Sequence, residues 1–376
     1  MGRGRLALLS LLRAHPHASR ARVAAFQREQ LARVLRHAAG SVPYYRRLFE
    51  RHGVRPEQIT GPADLARIPP TARRDLQRAD PRDVVAHGID PARLIVHRTS
   101  GWSGEPLSIR RAWTEERLYV AARRRAMRDL GLRRGDRWAA LGLVRPPHPL
   151  DDRLAQRLWR ALRLYPRTVV DALAPSDEIA AALARLRPDV ITGYPGVLDG
   201  VARALSARGD GAPRPRLIVA GGEVLTPAAR ERIGRAFGTT VREIYGSHEC
   251  PLIAWECGRG HGLHVWDPGV VLEVVRDGRA AFPGESGEVV LTALHSFAMP
   301  FIRYVLGDVV VAGETPCPCG APSPRSGPSR GGCSTPSRWR TAARCIPTRW
   351  SWPRSRPRET GSRSTGCCRN RPGAWC

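Results

Sequence analysis

Between residues 139 and 222, short apolar runs alternate with helically spaced ones, and this alternation restricts the fold more than any other feature of the chain. AALGLV at 139–144, DVITGY at 189–194 and RLIVAGG at 216–222 read as strands, whereas EIAAALARL at 178–186 sets its apolar side chains at helical spacing. Strands separated by helices predict a parallel α/β sheet, because each helix must carry the chain back to the end where the previous strand began. Thr226 before Pro227 reads as an N-cap with proline at the first helical position, so the 216–222 strand should run through a short turn into a helix. Gly221, Gly222 and Glu223 then sit at the carboxyl end of a strand, where open α/β sheets collect their ligands.

Upstream, Val23, Phe26, Leu31, Val34 and Leu35 recur at helical spacing over 21–38, and SVPYYRRLFERHG reads as a second helix behind a proline turn. Downstream, VVLEVV at 270–275, EVVLTAL at 288–294, FIRYVL at 301–306 and DVVVAG at 308–313 read as four short strands. The expected organisation is a helical region over 1–90, an α/β core over 91–265, and a β-rich subdomain over 266–321. A tail that builds no core follows over 322–376.

The tail changes texture abruptly. Residues 323–376 hold no Leu, Val, Phe or Met but 12 Arg, five Cys and four Trp, too little apolar surface to offset the entropy of ordering. Translation of GC-rich DNA in a shifted frame accounts for this mixture best; a genuine basic tail is the alternative.

Lys and Arg together number 61 against 34 Asp and Glu, a formal net charge of +27, which raises nucleic acid or an anionic membrane as a partner. All of these cations are Arg, and the one Asn is Asn370, so the excess reads as compositional drift spread along solvated faces and no specific nucleic-acid site is expected. The opening MGRGRLALLSLLRAHP reads as an amphipathic helix, since Arg13 interrupts its apolar run and no cleavage site follows. No stretch reaches the roughly 18–20 apolar residues of a membrane span, so a cytoplasmic protein without a membrane partner is expected, with cysteines as thiols or metal ligands.

Three stretches have chemistry to offer. TSGWSGEP at 99–106 is a glycine- and hydroxyl-rich loop suited to cradling phosphate, though it lacks the Lys of a Walker loop, and a plain surface turn remains open. YGSHE at 245–249 follows the strand-like TTVREI and supplies an aromatic ring, a glycine turn, a hydroxyl and the carboxylate of Glu249, which could hold Mg2+ against phosphate oxygens. Cys257 and His264 in ECGRGHGLH, with Cys317 and Cys319 in CPCG, make a Cys3His set of the kind that binds structural Zn2+. His261 is the alternative histidine, unpaired thiols are the alternative reading, and Cys250 is read as a small packed residue.

TSGWSGEP, GYP at 193–195, AGGE at 220–223, YGSHE and IRYVLGD at 302–308 occur in the order found in adenylate-forming enzymes, and VPYYRRLF with ADLARIPPTARRDL looks like the same opening. From about residue 25 to 321 the chain resembles the phenylacetate-CoA ligase family and its CapK-like relatives. The resemblance implies that Ser100, Gly101, Ser103 and Gly104 bind ATP phosphates and that Gly222 and Glu223 border the adenine. It further implies that Tyr245, followed by Gly246 and Ser247, packs on the adenine ring, that Asp308 holds the ribose hydroxyls and that Tyr194 walls the acyl pocket. Glu249 would be the magnesium residue, with Arg303 near it as a secondary electrostatic contributor.

The implied reaction is ATP-dependent activation of a small carboxylic acid to an acyl-AMP, then transfer to CoA, and zinc-bearing relatives favour the Cys3His site. The pattern departs from the family at Trp102, where the loop usually has Thr or Ser. Nothing matches the family's mobile C-terminal domain, and the chain has no Lys to contact the reacting carboxylate. Loss of such a cation costs about 2.7–4 kcal/mol, so impaired activity is expected. A carrier-protein or amine acceptor, as in capsular polysaccharide biosynthesis, and a non-catalytic zinc-stabilised basic binding protein stay open. A homodimer is compatible with the sequence.

Overall fold

The computed structural model describes residues 19–98, 106–144, 166–208, 212–259, 262–313 and 332–333, all within one compact unit, Met1–Thr341. The calls on residues 1–18 and on the tail, apart from 332–333, lie outside the described residues.

Helix α1 (Arg20–Ser41) starts where Ser19 accepts the Arg22 N–H at 3.3 Å, and α2 (Pro43–Arg51) follows after one residue with proline in its first turn. The apolar positions expected from the periodicity are buried. Leu31, Val34, Leu35 and Ala38 of α1 join Tyr45 and Phe49 of α2 in a core shared with Val271, Leu294 and Ile302. The helical region therefore finds its cover on a sheet more than 200 residues away in sequence. Short helices α3 (Arg73–Arg78) and α4 (Pro81–Val84) lead to a hairpin, β1 (Ile95–Arg98) and β2 (Ser108–Arg111), and then to α5 (Trp113–Asp129).

The main sheet contains β3 (Trp138–Gly142), β4 (Arg167–Asp171), β5 (Val190–Gly193), β6 (Leu217–Gly221), β7 (Val241–Tyr245), β8 (Ala254–Glu256) and β9 (Leu263–Val265). Its order is β9-β8-β7-β6-β5-β3-β4, with β14 (Gly332–Cys333) pairing outside β9. From β7 to β4 the strands are parallel, as the alternation predicted, while β8 and β9 run antiparallel. Period two is visible in the packing. Val190, Leu217 and Val219 face Tyr119, Ala122 and Ala126 of α5, whereas Ile191, Ile218 and Ala220 face the opposite helices, α6 (Ser176–Leu186), α7 (Pro195–Arg208) and α8 (Pro227–Phe237). Thr226 caps α8 as expected, its Oγ1 accepting the Ala229 N–H at 3.2 Å.

A second, antiparallel sheet has the order β11-β10-β12-β13, built from β10 (Val270–Arg276), β11 (Arg279–Ala280), β12 (Ser286–Ala293) and β13 (Tyr304–Val311). Here one expectation is corrected: the runs at 301–306 and 308–313 are not two strands but contribute to the single strand β13. The apparent break is a bulge. Between the pairs Val290↔Val305 and Glu288↔Val309, β13 spends four residue steps against two on β12, and Gly307 takes φ +88°, a conformation costly for other residues. Thr71 bridges to Tyr304, donating its N–H to the Arg303 carbonyl at 2.8 Å and accepting the Val305 N–H at 3.0 Å, which ties the segment before α3 to this sheet. Among the described residues no helix is long and apolar enough to cross a membrane.

Candidate active site

At the end of β6 the backbone passes its neighbours too closely for side chains. A Cβ on Gly221 would stand 2.5 Å from the Ile244 carbonyl oxygen, and one on Gly222, at φ +85°, would stand 2.9 Å from Cε1 of Tyr194. The Tyr194 ring at the end of β5 thus lies directly against the Gly222 turn. Next to it, Glu223 Oε2 accepts the Gly196 N–H at 2.9 Å, so its carboxylate caps the start of α7, where the helix dipole favours negative charge. The GYP and AGGE motifs are therefore one constellation.

Tyr245 ends β7 and donates its hydroxyl to Asp308 Oδ2 at 2.6 Å. Tyr304, at the start of β13, donates to Glu249 Oε1 at 2.9 Å, and Glu249 is only 3% exposed. The two bonds cross in opposite directions, each strand supplying a phenol to a carboxylate associated with the other. The bulge in β13 provides the local deviation that carries Asp308. Burial pushes the Asp308 carboxyl above its ordinary range, opposed by the Tyr245 hydrogen bond and reinforced by the negative charge of Glu249. Tyr304 was not singled out in the sequence, although it lies inside the IRYVLGD motif. Burial and Glu249 raise its phenol pKa, keeping it a donor.

The turn between Tyr245 and Glu249 closes on itself. Ser247 donates its N–H to the Cys250 carbonyl at 2.9 Å, and its Oγ accepts the Cys250 N–H at 3.1 Å. A Cβ on Gly246 would lie 2.4 Å from the Pro251 carbonyl oxygen, so glycine is required there. Cys250 is fully buried, its thiol pushed up to about 12 by burial, which agrees with a packed residue.

Arg303 has a different placement from the one expected of it. Its guanidinium grips Glu273 through Nε and Nη2 at 3.1 and 3.0 Å and donates to the carbonyls of Ala66, at 3.3 Å, and Ile68. With the side chain committed to a buried ion pair and two backbone acceptors, it acts as a clamp between β13, β10 and the segment before α3, rather than as a charge facing nucleotide.

A network that the sequence did not reveal joins the β1–β2 hairpin to the 245–249 turn. Arg111, buried on β2, donates Nη1 to Glu116 Oε2 at 2.6 Å and Nη2 to the His248 carbonyl, and stacks over Tyr119 at 5.1 Å. His97 Nε2 lies 3.2 Å from the same Glu116 oxygen. Burial alone would raise the Glu116 carboxyl, but the hydrogen bonds and charge of His97 and Arg111 outweigh it and hold Glu116 at about 2. The calls on Ser100, Gly101, Ser103 and Gly104 lie outside the described residues, which resume on either side of that loop in β1 and just before β2.

Of the proposed zinc ligands, Cys257 and His264 belong to the β8–β9 hairpin, while Cys317, Cys319 and the alternative His261 lie outside the described residues. Cys257 Sγ accepts the Arg259 N–H at 3.4 Å, and burial lowers the His264 pKa, favouring the neutral ring. Neutral imidazole and a sulfur accepting a backbone N–H are suitable donors for zinc. The backbone of Cys333 pairs with Leu263, which the sequence did not foretell.

No protein-family profile matches the chain. Among curated proteins it is 31% identical over 334 residues to a phenylacetate-coenzyme A ligase from Thermus thermophilus, covering 83% of this chain and 71% of the relative. It is 30% identical over 297 residues to the phenylacetate-coenzyme A ligase of Escherichia coli, covering 76% and 66% respectively. Among solved structures, 2-hydroxyisobutyryl-CoA ligase in an open conformation with 2-HIB-AMP and CoA superposes with a TM-score of 0.67 at 22% identity, over 85% of this chain and 69% of that one. The fold is that of adenylate-forming CoA ligases.

Proposed function

Because this chain belongs to the phenylacetate-CoA ligase family, we propose that it activates a carboxylic acid with ATP through an acyl-AMP and transfers the acyl group to CoA. The observation that supports this reading best is the reciprocal pair Tyr245–Asp308 and Tyr304–Glu249, two carboxylates held by phenols beside the carboxyl end of β7. Asp308 would accept the ribose hydroxyls, Tyr245 would pack on the adenine, and Gly222 with Glu223 would border its edge, with Gly246 and Ser247 shaping the turn beneath. Ser100, Gly101, Ser103 and Gly104 would contribute phosphate donors. Glu249 is assigned to Mg2+, which when bound neutralises phosphate charge; a cation there would also offset the Glu249 charge that adds to burial in raising Asp308.

Positioning and charge neutralisation dominate such chemistry, since the substrate carboxylate is itself the nucleophile on the α-phosphorus and pyrophosphate leaves. Arg303 is assigned to positioning through Glu273. CoA is taken as acceptor on the strength of the relatives, and structural Zn2+ on Cys257, His264, Cys317 and Cys319.

Carboxylate-dependent exchange of labelled pyrophosphate into ATP tests the first half-reaction without CoA. Exchange in the parent chain that survives unchanged in Glu249→Gln would remove that residue from the assignment. Absence of both exchange and ATP binding in a folded protein would remove the adenylation reading. Metal analysis of the purified chain tests the zinc site: one equivalent of zinc, lost in Cys257→Ser, is expected.

A further inference from the structure

Arg111 ends β2 with 3% of its surface exposed, so its charge must be met inside the fold. Its contacts reach in two directions. Towards α5, Nη1 donates to Glu116 Oε2 at 2.6 Å and the guanidinium carbon stands 5.1 Å from the centre of the Tyr119 ring. Towards the turn after β7, Nη2 donates to the His248 carbonyl. Glu116 aims this fork. Its Oε2 also takes the Nε2–H of His97 at 3.2 Å, the ring nitrogen being the donor because an ionised carboxylate only accepts. One carboxylate on α5 thus ties down both strands of the hairpin, β1 through His97 and β2 through Arg111. With Nη1 and the ring face held, the planar guanidinium sends Nη2 to the turn.

The carbonyl it meets lies one peptide before Glu249. Peptide groups are planar, so holding the His248 oxygen fixes the plane that leads into the Cα of Glu249. The turn closes elsewhere, between Ser247 and Cys250, through an N–H to carbonyl bond of 2.9 Å and an N–H to Oγ bond of 3.1 Å. Those bonds bracket the 248–249 peptide and leave its rotation to Arg111. At the other end of Glu249, Tyr304 holds the carboxylate at 2.9 Å. Arg111 therefore supplies the backbone restraint and Tyr304 the side-chain one. The rings of His97 and His248, with centres 6.2 Å apart, show how near the hairpin comes to the turn.

We propose that Arg111, aimed by Glu116, is a positioning residue for the nucleotide: it sets the direction from which Glu249 meets the cation that accompanies ATP. The proposal rests on the adenylation reading, with Glu249 at Mg2+. A carboxylate with one oxygen already oriented by a phenol is a fitting donor for a hard cation, and the residues behind such a donor tune how well it binds.

Calorimetric titration of the full chain with ATP, with and without Mg2+, gives the factor by which the metal tightens ATP binding. Arg111→Ala should reduce that factor about tenfold, the scale on which partners behind a metal ligand act, and leave metal-free ATP affinity nearly unchanged. Glu116→Gln, which keeps the shape and loses the charge, should reduce it less. Because Arg111 acts through Glu249, Arg111→Ala should remove nothing more once Glu249→Gln is in place. Tyr119→Phe removes the 3.1 Å bond to Ser296 and keeps the ring under the guanidinium, so it should lower the melting temperature without moving the factor. Circular dichroism melting establishes that each variant is folded; should Arg111→Ala fail to fold, Glu116→Gln alone decides. A factor unchanged in the Arg111 and Glu116 variants, or reduced equally in Tyr119→Phe, overturns the proposal, as does an Arg111→Ala loss undiminished beside Glu249→Gln. In each case ATP binding by the parent leaves the adenylation reading standing. If Mg2+ does not tighten ATP binding by the parent, the Glu249 assignment falls and the proposal with it; if ATP does not bind, the adenylation reading falls too.

Discussion

Replacing Arg303 by Met tests whether this residue holds the fold or serves the reaction. Arg303 is 8% exposed and Glu273 9%, and the pair is bidentate, so truncating the cation strands a buried carboxylate. Breaking such a pair from one side costs about 3–5 kcal/mol, and the donations lost to the Ala66 and Ile68 carbonyls add about 1 kcal/mol each when those acceptors stay dry. Met is preferred to Gly because Arg303 sits at φ +44°, and glycine would relieve backbone strain and mask the loss.

The deficit should depend on pH. Burial already raises the Glu273 carboxyl above its ordinary value despite Arg303, and without the cation it rises further. A carboxyl whose folded pKa exceeds its unfolded one stabilises least where the unfolded chain ionises, so the deficit grows from pH 5 to pH 8. Urea midpoints at both pH values measure it. Arg303→Met with Glu273→Met should recover most of the stability, since an apolar pair of similar volume removes the stranded charge. A loss below about 1 kcal/mol at pH 8, with no recovery in the double variant, would refute the clamp. If such a stable variant had lost pyrophosphate exchange, Arg303 would return to the reacting centre.

Three further outcomes are expected. Gly222→Ala places a methyl 2.9 Å from Tyr194 at a positive φ, costing about 1–2 kcal/mol of backbone strain and displacing the ring, so ATP titration should show weaker binding. Tyr245→Phe removes the 2.6 Å bond to Asp308 and should leave that carboxyl with a still higher pKa, so the ATP affinity of the variant should decline further as pH falls than that of the parent. Glu116 is held at about 2, below its ordinary 4.5, so the parent's advantage in melting temperature over Glu116→Gln should be full at neutral pH and shrink as pH falls from 4.5 towards 2.

What the sequence revealed is what local periodicity encodes. The α1 helix, the β5 and β6 strands and the Thr226 cap each depend on neighbours within a turn or two, and each was legible. The β13 bulge was not, because Gly307 and Asp308 between two apolar runs resemble an ordinary strand break, and only the pairing with β12 shows the chain continuing. The shared core of α1, α2, β10 and the loops around Ile302 was also hidden, because an amphipathic pattern says that a face is covered without saying by what. Arg111 reaches the His248 carbonyl across 137 positions, and no spacing rule links a strand arginine to a distant backbone oxygen. Arg303 illustrates the converse. Its place beside an ordered motif suggested chemistry, while its partners Glu273, Ala66 and Ile68 made it a clamp.

These long-range contacts explain why the two sheets are tied as they are. Tyr245 and Glu249 belong to the end of β7, Asp308 and Tyr304 to β13, so the two phenol–carboxylate bonds form only when both strands are in register. The Arg303–Glu273 pair and the Thr71 bridge hold the start of β13, and Arg111 holds the turn carrying Glu249. Each bond involves one oxygen of its carboxylate, leaving the other oriented by the same anchor. A site built this way gains definition from residues that need never touch a substrate. Weakening Arg111 or Arg303 should therefore loosen Glu249 and Asp308 before it abolishes the fold.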